Sequence, residues 1–142
     1  MADGMARIPL SENTLVLRTD FSDEAAWKAL CAALQNPDDD FNPSLDFVSD
    51  RAYDGVTADQ LPSFLPEDSS ISFAFLVDRN AITHPDHPIL VIDLHDKPRR
   101  TFRVTPSALG DVANNLSIAN MGFEEFADAV DQDGIFRGFS QA

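Results

Sequence analysis

The chain has 142 residues, 44% of them hydrophobic, with 24 acidic side chains against 10 lysines and arginines and a formal net charge of −14. That apolar content separates it from disordered acidic tails, and its length suffices for one hydrophobic core without metal or disulfide staples. The charge disfavours nucleic-acid backbones and anionic membranes and favours basic proteins or cations as partners.

Residues 14–20 (TLVLRTD) read as a first strand, rich in branched apolar residues and ending on a turn-forming acid. Ser22 then suits a helix N-cap, with Asp23 and Glu24 placing negative charge in the first turn. Trp27, Leu30, Cys31 and Leu34 follow at i, i+3, i+4 and i+7, one apolar stripe. Residues 35–43 form an acidic, proline-flanked loop, and residues 45–49 a short strand. Thr57 and Gln60 have the spacing of a capping box, while Pro62 and Pro66 limit the helix they start. In residues 71–77, Ile71, Phe73, Phe75 and Val77 share one strand face, with Ala74 and Leu76 on the other.

Residues 89–94 (ILVIDL) are apolar on both faces, which predicts a central strand covered on both sides. A polar turn leads to residues 101–104, an alternating strand expected to pair as a hairpin. Thr105 and Pro106 give a cap followed by proline at the first helical position, and Leu109, Val112 and Leu116 form that helix's buried side. The last helix carries the stripe Phe123, Phe126, Ala127 and Val130, with Gly134 as its expected C-cap. The pattern predicts an α+β fold with one mixed sheet of about five strands. An N-terminal strand–helix unit and two C-terminal helices pack on it. Residues 1–142 are expected to form a single globular domain, with 1–12 flexible.

One cysteine, Cys31, allows no intramolecular disulfide. The N-terminal residues lack the apolar region of a signal peptide, and no apolar run approaches the ~20 residues of a membrane span. A soluble, cytoplasmic protein is the expectation.

Residues 15–23 (LVLRTDFSD) with Trp27, and residues 114–130 (NNLSIANMGFEEFADAV), resemble a family of small acidic proteins of actinobacteria and fungi. The resemblance covers most of the chain after the first ten residues. It implies one globular domain and carries no activity, cofactor or partner.

Candidate chemistry is sparse. His84, Asp86 and His87 bring imidazoles and a carboxylate together, which suits a divalent cation, although their spacing matches no established zinc signature. Exposed turn residues are the plainer reading. The 131–134 run (DQDG) lacks the first and last acidic ligands of a calcium loop, since Ala129 and Ser140 stand where acids are needed. Cys31 lies on an apolar stripe and reads as a small core residue. There is no Gly-rich phosphate loop, no nucleophile elbow and no cofactor-binding motif.

The scarce cations carry more information. Arg18 and Arg103 each sit out of phase with the apolar residues of a strand. If those strands are neighbours, the two guanidiniums share a face, closed by Asp20 or Asp93, or open to a carboxylate or phosphate. Asn114, Asn115 and Asn120 would complete such a polar pocket. Two functions stay open. One is a non-enzymatic interaction module whose acidic surface binds a basic protein. The other is a small-ligand, anion-binding or enzymatic domain around Arg18, Arg103 and the asparagines.

Overall fold

The computed structural model describes residues 14–34, 45–65, 73–94, 100–117 and 123–137. Six strands form one mixed sheet: β1 (Thr14–Arg18), β2 (Leu45–Val48), β3 (Phe73–Val77), β4 (Ile89–Asp93), β5 (Thr101–Val104) and β6 (Ile135–Phe136). Their spatial order is β2-β1-β3-β4-β5-β6. The β2-β1-β3 half is parallel, β3-β4 and β4-β5 are antiparallel, and β6 lies parallel to β5. The expected α+β fold with one mixed sheet is therefore observed, with six strands instead of five.

Strand β4 lies in the middle of the sheet, as its two-sided apolar sequence requires. Its Ile89 and Val91 enter one core and Ile92 the other. The larger core unites Val16, Phe73, Phe75, Val77, Phe102 and Val104 with helices α1 (Glu24–Leu34), α3 (Pro106–Ser117) and α4 (Phe123–Ala127). The smaller core sets Leu15, Leu17, Ala74, Leu76 and Ile92 against Tyr53, Val56, Leu61 and Leu65 of the β2–β3 connection. Each fully buried aliphatic or aromatic side chain here contributes about 1.5–3 kcal/mol of transfer free energy.

Helix α1 forms because alanines dominate its length, Trp27, Leu30 and Leu34 supply a buried stripe, and Asp23 caps it. The Asp23 carboxylate accepts from the Ala26 N–H at 3.0 Å, so the cap lies one residue later than Ser22. The Ser22 hydroxyl bonds the Asp20 carboxylate instead. Trp27 is 6% exposed and meets Phe47 edge-on, with ring centroids 6.2 Å apart.

The Thr57–Gln60 capping box is formed in both directions, at 3.1 and 3.3 Å. It starts no α-helix, however. Pro62 leaves only a 3₁₀ segment, Leu61–Phe64, because it removes a backbone donor and blocks the preceding turn; Pro66 lies outside the described residues. Two elements escape the sequence reading. Helix α2 (Arg79–Thr83) has five residues, begun by the Asp78 carboxylate accepting from Ala81 N–H at 3.1 Å. Strand β6 comes after a tight turn in which Asp131 accepts from the backbone of Asp133 and Ile135. Gly134, at φ +81°, belongs to that turn and does not cap a helix. None of the helices among the described residues is long and apolar enough to cross a membrane.

Candidate functional site

Strand β1 is followed by α1 on one face of the sheet, and β2 by two 3₁₀ segments, Arg51–Tyr53 and Leu61–Phe64, on the other. The chain thus leaves β1 for β2 on one side and crosses back to β3 on the other. In open sheets of this kind, the crevice outside the carboxyl ends of the two diverging strands is where ligands bind. A cleft of about 340 Å³ lies there. Its floor is apolar, with Val56, Ala58, Leu76 and Leu90, and its rim carries Asp20, Asp54, Thr57, Asp78 and Arg79.

Several contacts build this crevice. The Gly55 N–H donates to Thr19 O at 2.8 Å, tying the β2–β3 connection to the end of β1. Gly55 adopts φ +82°, which an L side chain would resist. Asp78 receives Arg103 through both guanidinium nitrogens, at 2.7 and 3.0 Å, and Arg103 also donates to Pro88 O. Asp54 is exposed.

Arg18 supports the crevice from the opposite face. Its side chain is 2% exposed, packed with its guanidinium carbon 4.3 Å from the Phe21 ring centroid and 5.2 Å from that of Trp27. Nε donates to Asp20 O at 3.0 Å, and Nη1 to Glu24 Oε1 at 2.9 Å and Ser49 Oγ at 3.2 Å. Nη2 is buried and makes no hydrogen bond. One guanidinium therefore pins the end of β1, the start of α1 and the end of β2. That fixes the backbone from which Asp20 reaches the cleft.

The expectation that Arg18 and Arg103 share a face under α3 is overturned. In β5, Phe102 and Val104 point into the larger core, so the strand alternation turns Arg103 to the opposite face. In β1, Leu15 and Leu17 enter the smaller core, which sends Arg18 to the α1 side with Val16. Strands β3 and β4 also stand between them. Each arginine finds its own carboxylate and a backbone carbonyl, as burial of a charge demands. Asp93 closes neither arginine. It is buried and pairs with Arg100 at 3.1 Å, whose guanidinium lies over the Phe123 ring. Asn114 and Asn115 fall in α3, with side chains outside the described part of the structure, and Asn120 lies outside the described residues.

The anticipated cation ligands do not converge. The His84 ring Nδ1 accepts from Asp86 N–H, the His87 Nδ1 meets Ala81 O at 2.9 Å, and the Asp86 carboxylate pairs with Arg137. Among the described residues, no three His, Cys, Asp or Glu side chains are grouped to hold a metal ion. A wider hollow of about 530 Å³ lies between the end of α1 and the start of α3. Its walls are Ala32, Ala33, Thr105, Pro106 and Ser107, with Asp86 as the single charge, so few polar groups meet there.

Among the described residues Cys31, Tyr53, Asp131 and Arg137 have shifted pKa values, the last two through their mutual hydrogen bond. Burial pushes the Cys31 thiol above its ordinary 9.0, against the pull of the Arg18 charge. Burial, with the nearby Asp50 carboxylate, raises the Tyr53 hydroxyl above 10.0. Both hold their protons at neutral pH, so neither is an activated nucleophile or base.

Of the crevice residues, sequence reasoning singled out Asp20 alone. Thr19, Asp78 and Arg79 were missed; Asp54 counts only among the acids of the acidic face, and Thr57 reads only as a capping residue. Asp20 and Asp78 each stand just past a strongly apolar strand, and that position is the signal that points to them once the strands are known to be parallel.

Fold and crevice define an α+β fold with a cleft at the carboxyl ends of the parallel strands β1 and β3 of its mixed sheet. The chain belongs to a family described as a domain of unknown function (DUF6924), whose model matches residues 13–139. No curated protein matches it in sequence.

Proposed function

We propose that this domain is a non-enzymatic interaction module that binds a basic protein through the end of the sheet bearing the crevice. The observation that carries this reading is where the acids fall. Asp20 and Asp23 come after β1; Asp50, Asp54 and Asp59 lie in the connection after β2; Asp78 comes after β3. The cations at this end are outnumbered: Arg18 is buried against Glu24 and Arg103 is paired with Asp78, which leaves Arg51 and Arg79 exposed. A like-signed surface of this kind steers a basic partner to it and repels polyanions.

The alternative of an anion pocket shared by Arg18, Arg103 and the asparagines loses its support, because the arginines lie on opposite faces. The test is to capture partners from the native host at low salt, identify them, and measure binding of the purified pair across a salt series. A basic partner whose affinity falls steeply with salt is expected. A neutral or acidic partner bound with no salt dependence would contradict the reading.

A further inference from the structure

We infer that the crevice between the ends of β1 and β3 seats one long basic side chain, a lysine or arginine of the partner; this rests on the interaction reading above. The shape and chemistry of the cleft match such a side chain part by part. Lysine and arginine lay an aliphatic stem along apolar surface and keep the charged head at a polar edge. Val56, Ala58, Leu76 and Leu90 offer the stem a floor, and the head meets Asp54 and the Asp20 carboxylate at the rim, one Asp20 oxygen already accepting from the Ser22 hydroxyl. Asp78 contributes less, because Arg103 already holds both its oxygens.

Size and backbone bonding narrow the occupant further. About 340 Å³ is at the small end of ligand clefts, which run to roughly 1,000 Å³, and suits one side chain better than a dinucleotide. Phosphates at such crevices are held by free backbone N–H groups. Five of the lining N–H groups are taken: Thr19 bonds Val77 O, Asp54 bonds Arg51 O, Gly55 bonds Thr19 O, Val56 bonds Tyr53 O and Thr57 bonds the Gln60 side chain. A cleft that spends these donors internally and sets Asp20 and Asp54 against one exposed arginine, Arg79, at its rim favours a cation.

The test uses a fluorescein-labelled peptide of alternating lysine and glycine, tracked by anisotropy at low salt against the full chain. Asp54→Asn removes one rim carboxylate from an exposed position. Ala58→Lys lays an ammonium of the chain's own over the cleft floor. Asp128→Asn makes the same charge change as Asp54→Asn at an exposed position beyond α4. We expect Asp54→Asn to weaken binding about tenfold, the loss of one charge-assisted hydrogen bond, and Ala58→Lys to weaken it at least as much. Asp128→Asn should change it less than about twofold, since screening mutes distant charges. Circular dichroism checks that each variant folds, and the exposed Asp54→Asn decides the matter if Ala58→Lys does not. Equal, small effects of Asp54→Asn and Asp128→Asn would overturn the crevice and leave the general acidic-surface reading standing. Spermidine competing as strongly as the peptide would overturn the protein side chain in favour of a free cation. No peptide binding by the wild-type chain would overturn both readings.

Discussion

Arg18 gives the sharpest stability test, because its partners are so unequally buried. The guanidinium is 2% exposed, while Glu24, which bonds its Nη1, is 60% exposed. Glu24→Ala leaves a buried charge with only Ser49 Oγ and Asp20 O as partners, beside an Nη2 that already has none. An unsatisfied buried polar group costs about 1–3 kcal/mol. The exposure of Glu24 lets water replace part of its carboxylate, which places the expected loss at the lower end, about 1–2 kcal/mol. Arg18→Met removes the charge and the orphaned Nη2 together and puts a flexible apolar side chain against Phe21 and Trp27. Such replacements of buried ion pairs are often neutral, so a loss under about 1 kcal/mol is expected. The double variant should lie within about 1 kcal/mol of Arg18→Met alone, since Glu24 then has only its place in the first turn of α1 to lose. Urea unfolding monitored by the fluorescence of the single tryptophan measures all three. A loss above about 3 kcal/mol for Arg18→Met with a silent Glu24→Ala would refute the reasoning, because the pair would then not be what Arg18 is for.

Trp27→Ala should cost roughly 3–5 kcal/mol by cavity formation, and native tryptophan emission should resist iodide quenching; ready quenching would contradict its burial. The raised pKa values of Cys31 and Tyr53 mean that the unfolded chain releases these protons first, so stability is full below pH 9 and declines as pH rises through 9 and 10; Cys31→Ala should soften the start of that decline in pH-dependent unfolding. The hydrogen bond from Arg137 holds the Asp131 carboxyl below its ordinary 3.8, so its stabilising share is present above that pH and lost as pH falls through the depressed value; a carbon-detected NMR titration should find it still ionised there. No association with duplex DNA is expected at moderate salt, and a measurable gel shift would contradict the charge argument.

How much was legible in the sequence differs between fold and site. Local signals carried β1, α1, β3, β4, β5 and α3, because each has a clear apolar period or a proline–cap pair. The period of β4 even placed it at the centre. Helix α2 and β6 escaped because five and two residues are too few to show any period. Thr57 and Gln60 gave a true capping box but a false helix: the box fixes a start, and Pro62 holds the chain to a 3₁₀ segment. The arginine pocket failed for a different reason. Phase along one strand tells which residues oppose each other, but β1 is apolar on both faces, so its sequence does not say which core receives Arg18. The crevice was invisible for the same reason, since it exists only where β1 and β3 diverge and depends on parallel pairing between distant segments.

The measurement that bears most directly on a basic side chain seated in the crevice is an amide chemical-shift titration of the isotope-labelled chain with the lysine–glycine peptide. Saturable shifts are expected to concentrate on Thr19, Asp20, Gly55, Val56, Thr57 and Arg79. Shifts centred instead on Glu125, Asp128 and Asp133, or spread evenly over every acidic segment, would contradict it.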